Sequence, residues 1–167
     1  MSIINPAELD LKEEAVVRIN RVAKVTSRGK RFSFSTIVVV GDGRGHVGVG
    51  LGKANEVISS ISKAKDKAKR NIFKSTIING TIPHKIVGRY GSSRVLLKPA
   101  APGTGIIAGA PVRAVMEQVG VSNILTKRYG SSNPMNIVRA AINALENLQD
   151  AVKIANKRGI KIKDVFT

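Results

Sequence analysis

Most of the ionisable side chains in this sequence are those of lysine and arginine. Lysine and arginine total 28 against 11 aspartate and glutamate residues, which gives a formal net charge of +17. Between Ala15 and Gly41 there is no acidic residue. Cations grouped without carboxylates neutralise phosphates, so the expected chemistry is electrostatic binding of a polyanion. The cations of this stretch are Arg18, Arg21, Lys24, Arg28, Lys30 and Arg31.

A second group of cations has the spacing of one helix face. Its members recur every three or four residues, and such residues lie side by side on a helix. A row of this kind is often a solvated surface, but the strongly basic chain favours contact with phosphates. Such contacts position a protein on nucleic acid without reading its sequence. The row consists of Lys63, Lys67, Arg70 and Lys74.

A glycine-rich stretch, Gly43 to Gly48, matches the G-x-G-x-x-G pattern of dinucleotide-binding folds. That pattern has to open a helix directly after a strand, whereas Val47 to Leu51 has the pattern of a strand. We therefore expect a tight turn and a strand whose glycines allow close backbone approach. The alternative, a nucleotide-dependent enzyme, would lose nucleotide binding on Gly45→Ala.

Catalytic and metal-binding patterns are missing from the sequence. His46 and His84 fall in different predicted units, and neither has an obvious acidic partner nearby. Cysteine is absent, which excludes disulfides and thiol chemistry. There is no apolar run of about 18 residues, and Met1 to Leu11 does not resemble a secretory signal. We expect a cytoplasmic protein that is not an enzyme and takes no cofactor, metal, membrane or small-molecule substrate.

The first half of the chain predicts the order helix, three strands, helix. The helices are a short one in Glu8–Glu14 and a long one from about Asn55 to Lys74. In the strands, apolar and polar residues alternate, which places one face in the core. On the second strand, Phe32 and Phe34 share a face with Thr36, and burial of both rings is favoured over stacking on bases. The predicted strands are Val17–Val25, Phe32–Val40 and His46–Leu51.

The second half predicts a hairpin, Ile82–Tyr90 with Arg94–Pro99, then a helix, a strand and another helix. Pro111 and Gly120 are suited to begin and end the first of these helices. Asn133 is suited to cap the last one. Gly103 to Gly109 leads into the helix at Pro111, where free N–H groups could bind an anion, or it is a connection without a ligand. A basic tail follows Asp150.

Several short motifs occur in a fixed order along the chain. Those of the first half are Asn20-Arg21-Val22, Gly29-Lys30-Arg31-Phe32-Ser33-Phe34, Val39-Val40-Gly41-Asp42-Gly43, Val47-Gly48-Val49-Gly50, Gly52-Lys53-Ala54 and Ala68-Lys69-Arg70-Asn71. Those of the second half are Gly103-Thr104-Gly105-Ile106-Ile107-Ala108-Gly109, Arg113-Ala114-Val115 and Tyr129-Gly130-Ser131-Ser132-Asn133-Pro134. From about Leu9 onward the chain resembles the bacterial small-subunit ribosomal protein five family.

The resemblance implies an α+β fold of two domains. Residues 8–75 would form a double-stranded-RNA-binding-like domain in the order α-β-β-β-α. Residues 76–167 would form a two-layer α/β domain with a basic tail and a left-handed βαβ crossover, against the usual right-handed rule.

The resemblance also implies a structural constituent of the small ribosomal subunit that stabilises the head relative to the body. It would contribute to translational accuracy and line the mRNA entry channel. Its partners would be small-subunit rRNA, mRNA at that channel, and ribosomal proteins four and eight. A free-standing double-stranded-RNA binder or RNA chaperone is the alternative. The predicted rRNA-binding residues are Arg18, Arg21, Lys24, Arg28, Lys30, Arg31, Lys53, Lys63, Lys67 and Arg70.

Other positions match named features of the family. Gly105 and Arg113 match the interface with protein four, and the C-terminal part would adjoin protein eight. The residues Val22, Ala23 and Lys24 match the loop linked to spectinomycin sensitivity. The chain departs from the family at two positions. Arg28 stands where a second glycine is common at the loop tip, and Thr36 stands where a small apolar residue or cysteine is usual.

Overall fold

The first half of the chain is an antiparallel sheet with one helix packed on it. The structure, a computed structural model, describes residues 9–165. Helix α1 (Val57–Arg70) links the third strand of this sheet to the fourth. The strands, in sheet order, are β1 (Ala15–Thr26), β2 (Gly29–Gly41), β3 (His46–Ala54) and β4 (Phe73–Lys74).

The second half is a second four-stranded sheet, in the order β5-β6-β8-β7. Its strands are β5 (Ile86–Tyr90), β6 (Ser93–Pro99), β7 (Ile106–Ile107) and β8 (Ile124–Gly130). Strands β7 and β8 are parallel and are joined through α2 (Ala110–Val119), so they form a βαβ crossover. Helix α3 (Pro134–Glu146) follows, then α4 (Ala151–Arg158) and a short 3-10 helix, Ile162–Val165. The α+β class is therefore confirmed, while the hand of the crossover stays a prediction.

The predicted N-terminal helix is wrong for residues 9–14, and Glu8 lies outside the described residues. The Lys12 N–H donates to the Gly41 carbonyl at 2.8 Å, and the Glu13 carbonyl accepts from Gln118 Nε2 at 3.0 Å. So short a segment gains too few internal hydrogen bonds to offset the cost of helix nucleation. The described first half therefore runs β-β-β-α-β rather than α-β-β-β-α.

Helix ends follow the local signals in the sequence. Helix α2 has a proline in its first turn and ends at Gly120, whose φ of 92° is left-handed. The Asn133 side chain accepts from the Met135 N–H at 3.1 Å and caps α3. Helix α1 ends earlier than predicted, at Arg70, because Phe73 and Lys74 pair with β3.

Three glycines bring α1 into direct contact with the backbone of β3. A Cβ built on Gly48, Gly50 or Gly52 would collide with a carbonyl oxygen of the helix. The three carbonyls are one helical turn apart, so the helix lies along the strand over its length. They belong to Ala68, Ala64 and Ser60 respectively.

Thr36 is the polar member of the β2 face beneath α1. It is fully buried, and its Oγ1 lies 2.7 Å from Ser60 Oγ, which also donates to the Val57 carbonyl at 2.7 Å. A buried hydroxyl with a partner avoids most of the cost of desolvation. This pair accommodates a hydroxyl at a position where the resemblance leads us to expect a small apolar residue or cysteine.

Both faces of the inner half of β2, residues 36–41, are buried. Val38 and Val40 pack with Ala64 and Ala68 of α1. Val39 faces the other way and belongs to a larger cluster that includes α2, α3 and the second sheet. The two halves therefore share the larger of these two clusters, although the division at residue 75 remains a prediction.

The glycine stripe gives a direct test of this packing. Gly50→Ala should lower the free energy of unfolding by about 3 kcal/mol, because the new methyl group must push α1 off the sheet. Guanidinium unfolding followed by circular dichroism measures the loss. Gly109→Ala is the matched control, because its Cβ meets nothing within 4 Å, and it should cost below about 1 kcal/mol. Equal losses in the two variants would contradict the close contact.

Candidate nucleic-acid interface

The hairpin of β1 and β2 projects beyond the rest of the first sheet. Strand β3 ends opposite Phe34, and five further pairs, from Val22–Ser33 to Thr26–Gly29, continue the hairpin alone. At about 3.4 Å per residue this extension is roughly 17 Å long. All side chains from Arg18 to Val25 are exposed. The structure places four predicted rRNA-binding cations on this projecting arm, namely Lys24, Arg28, Lys30 and Arg31. Arg21 lies at its base, opposite Phe34, and Arg18 lies further along β1, opposite Ile37.

The predicted core face of this hairpin is wrong for its outer half. Phe32 is 48% exposed and Val25 is 70% exposed, and Ile19 is also exposed, whereas Phe34 is half-buried. The period of two is present, but no described element packs against these side chains beyond the end of α1. Periodicity shows that residues share a face, and it cannot show that anything covers the face.

The exposed Phe32 ring contacts an arginine rather than a core residue. The guanidinium carbon of Arg21 lies 3.9 Å from the centroid of the Phe32 ring. Such a cation–π contact contributes about 0.5–1 kcal/mol at an exposed site. It holds the Arg21 guanidinium against the ring on an exposed part of the hairpin, where its N–H groups can donate to acceptors such as phosphate oxygens.

The remaining predicted cations gather on a second surface. Lys53, Lys63, Lys67 and Arg70 line a shallow groove between β3 and α1, together with Leu51 and Asp66. Lys74, the last member of the predicted row, is exposed on β4. Between residues 9 and 165 no ion pair involves any of these cations. The basic last turn of α1 also complements the helix dipole, so a structural role accompanies the predicted one.

Lys65 differs from its neighbours on the same helix. Its Nζ lies 2.7 Å from Glu14 Oε2. The hydrogen bond from Lys65 is the main cause that lowers the pKa of the Glu14 carboxyl. This pair fastens the segment before β1 to α1, so Lys65, which is not among the predicted contact residues, has a partner within the protein.

The glycine-rich turn between β2 and β3 cannot bind a phosphate with its N–H groups, because they are already used. The N–H groups of Gly43 and Gly45 donate to the Gln118 and Val119 carbonyls at 3.0 and 2.9 Å. Those carbonyls end α2 and would otherwise lack partners. The turn therefore caps α2, as expected for a turn and strand rather than a nucleotide site.

Asp42 organises the same turn and was missed as a partner of His46. Its Oδ1 accepts from the Arg44 and His46 N–H groups at 2.7 and 3.0 Å, and its Oδ2 lies 2.5 Å from His46 Nδ1. Burial works to raise the pKa of Asp42, but these hydrogen bonds outweigh it and hold that pKa below its usual value. Asp before a Gly-rich turn is the sequence signal that could have revealed it.

Comparison with known proteins agrees with this geometry. The family models described as Ribosomal protein S5, N-terminal domain, and Ribosomal protein S5, C-terminal domain, match residues 12–74 and 88–158. The chain belongs to the ribosomal protein S5 family. The predicted resemblance is confirmed, and so is the prediction that the chain is not an enzyme, because this is a family of structural proteins.

Relatives of the S5 family match nearly the whole chain. Each of the following is named small ribosomal subunit protein uS5. The protein of Salinibacter ruber is 55% identical over 153 residues, covering 92% of this chain and 87% of the relative. That of Chloroflexus aurantiacus is 51% identical over 163 residues, covering 98% and 91%. That of Thermotoga maritima is 54% identical over 154 residues, covering 92% and 86%.

The two residues matched to the protein four interface lie close together in this S5 family member. The Arg113 Nη2 donates to the Ile106 carbonyl at 3.0 Å, and the Gly105 N–H donates to Asn123 Oδ1 at 3.1 Å. Gly105 has a φ of +72°, and a Cβ there would meet nothing within 4 Å. The conformation of the backbone, rather than lack of space, is what requires glycine at this position.

The segment matched to spectinomycin sensitivity is strand rather than loop. Val22, Ala23 and Lys24 pair with Ser33, Phe32 and Arg31 in the hairpin. The turn itself is the dipeptide Ser27–Arg28 between Thr26 and Gly29. The departure at Arg28 therefore puts a cation at the very end of the arm.

Residues 9–165 contain neither a membrane-spanning helix nor a cluster of metal ligands. None of the helices there has the length and apolar character that a bilayer crossing requires. The same residues contain no group of three or more His, Cys, Asp or Glu side chains arranged to hold a metal ion.

The role of Asp42 predicts a pH dependence of stability. A carboxyl whose pKa falls on folding stabilises the fold above its ordinary pKa, and that contribution is lost as pH drops through the folded value. Asp42→Asn should therefore cost about 1–3 kcal/mol at neutral pH, and the difference from wild type should shrink below about pH 3.8, the ordinary value.

Denaturant unfolding of both proteins between pH 7 and pH 2 measures this. Asp66→Asn removes an exposed carboxylate of α1 and should cost little at neutral pH. A gap for Asp42→Asn that stayed constant down to pH 2 would show that its charge does not matter.

Proposed function

We propose that the protein is a structural constituent of the small ribosomal subunit and binds small-subunit rRNA through the hairpin arm and the α1 groove. The hairpin of β1 and β2 carries the proposal, since it bears six cations and no carboxylate, and four of the cations lie on the part that projects beyond β3. A two-stranded hairpin without cover is marginally stable in water. The phosphates of bound rRNA would neutralise its charge, and the sugars and bases would cover its exposed apolar side chains.

The mechanism is electrostatic and architectural. Lysine and arginine side chains that contact phosphates release condensed counterions, so affinity falls steeply with salt. The arm and the groove lie on different parts of a body with one shared core. Contacts at both would hold two rRNA elements at a fixed separation, which supports a role in stabilising the head against the body.

The role in accuracy is assigned to the region of Gly105 and Arg113. Arg113 ties α2 to β7 through the Ile106 carbonyl, and Gly105 fixes the bend just before β7. A contact of this region with ribosomal protein four would bias the equilibrium between subunit conformations. The family resemblance adds protein eight at the C-terminal part, the mRNA entry channel, and a spectinomycin response set at Val22, Ala23 and Lys24.

Sedimentation of cell lysate at moderate and high salt tests membership of the subunit. Wild-type protein should migrate with small subunits and resist moderate salt. Lys24→Gln with Arg28→Gln should be released at lower salt, because two phosphate contacts are lost. The magnitude of the slope of log affinity against log salt should fall by roughly 1.4–1.8. The control is Arg44→Gln with Lys85→Gln, which removes two exposed cations elsewhere. Migration of the wild type as a free small protein would overturn the ribosomal assignment in favour of a free RNA binder.

A second experiment tests the accuracy region. Arg113→Gln should raise the frequency of misreading about fivefold, the shift that follows from losing a contact worth about 1 kcal/mol. A reporter gene with a near-cognate codon measures this in cells that depend on the variant. Glu117→Gln, one turn later and also exposed on α2, should leave misreading unchanged. If Arg113→Gln matched the wild type, the interface would have to lie elsewhere.

A further inference from the structure

One face of the second sheet is left uncovered by the helices. Gly88 marks the covered face, because its Cβ would collide with the backbone of α3 at Ala140. Helix α2 packs beside α3 in the same apolar cluster. Alternate residues must point to the opposite face. Those residues, the open face, are Val87, Arg89, Arg94, Leu96, Lys98, Ile107, Leu125, Lys127 and Tyr129.

The register of the strands arranges the open face in rows. Arg89 lies directly opposite Arg94, and Arg94 lies opposite Tyr129 on its other side. In the next row Leu96 lies between Val87 and Lys127. The face therefore combines an aromatic ring and aliphatic side chains with four cations.

No carboxylate is available on these strands to balance the cations. The sequence has no acidic residue between Asp66 and Glu117, or between Glu117 and Glu146. Like charges directly opposite each other on a sheet are destabilising, so the Arg89–Arg94 pair favours an anionic ligand. All four cations of the face are exposed.

We infer that the open face binds an unpaired segment of RNA, with a base stacked on Tyr129 and phosphates held by Arg89 and Arg94. Tyr129 is 50% exposed, which leaves its ring accessible from outside. A cationic sheet with an exposed aromatic ring is suited to single strands, because every base has a face that can stack and the phosphates follow. An acidic protein surface would also match the charge of the arginines. It would not account for the exposed ring of Tyr129 next to Arg94, which a stacked base would cover.

This inference rests on the proposed RNA-binding function and adds a surface that the predicted contact residues do not include. It is tested on the full chain with an oligouridine probe. The chain has two tyrosines and no tryptophan, so Tyr90→Phe leaves Tyr129 as the sole source of aromatic emission near 300 nm. Stacking of a base should quench that emission in a salt-reversible way, whereas inorganic polyphosphate should bind without quenching it.

Affinity gives the second readout, by fluorescence anisotropy of the labelled probe. Arg89→Gln with Arg94→Gln should lower the slope of log affinity against log salt by about 1.4, the value for two phosphate contacts on a single strand. Lys153→Gln with Lys157→Gln, two exposed cations of α4, is the charge-matched control and should change it by much less. Tyr129→Ala should weaken binding about tenfold, and Tyr129→Phe should restore it.

The outcomes separate this inference from the proposed function. If the probe binds and the Lys24→Gln with Arg28→Gln variant weakens it, RNA binding stands. If, in that case, Tyr129 is not quenched and the Arg89/Arg94 variant equals the α4 control, the open face is overturned as an RNA site and an acidic protein surface becomes its occupant. Failure of the wild type to bind any RNA would overturn both.

Discussion

The close contact of α1 with β3 is the constraint on which the first half of the molecule depends. Side chains normally separate a helix from a sheet, but here Gly48, Gly50 and Gly52 remove that spacing along one strand. The cluster between them is small, consisting of valines on β2 and alanines on α1 with a few partly buried neighbours. Because the backbones touch, the helix has little freedom to shift. The cations of α1 are thereby fixed beside Lys53 in one groove.

A second close contact joins the two halves. The turn after β2 caps the end of α2 with the N–H groups of Gly43 and Gly45, and a Cβ on Gly120 would collide with that turn. Asp42 holds the remaining N–H groups of the turn. The glycine pattern that resembles a nucleotide motif thus serves packing between backbones. With Val39 and Val47 in the same cluster as α2 and α3, the two sheets behave as one body.

The surface of the protein carries many more cations than carboxylates. The hairpin arm, the α1 groove and the open face of the second sheet are all cationic, and the first and last contain no carboxylate. Folding brings these cations closer together, which raises their mutual repulsion unless a polyanion is present. A rigid body with several cationic surfaces is suited to hold several RNA elements at once. This is the physical sense in which a protein of the S5 family can be architectural.

The sequence by itself determined the local features of this protein. Capping by Asn133, the left-handed end of α2 at Gly120, the apolar stripes of α2 and α3, and the family itself all follow from neighbouring residues or ordered motifs. Only the tertiary structure decided what covers each face. Phe32 and Val25 have the alternation of core residues but stand on an arm that nothing described packs against, whereas both faces of the inner half of β2, residues 36–41, are buried. The helix expected before β1 is absent from residues 9–14 because Gly41 and Gln118 take its hydrogen bonds. Alternation depends on the chain, but burial depends on partners distant in sequence, and these are set only when the sheets and helices pack together.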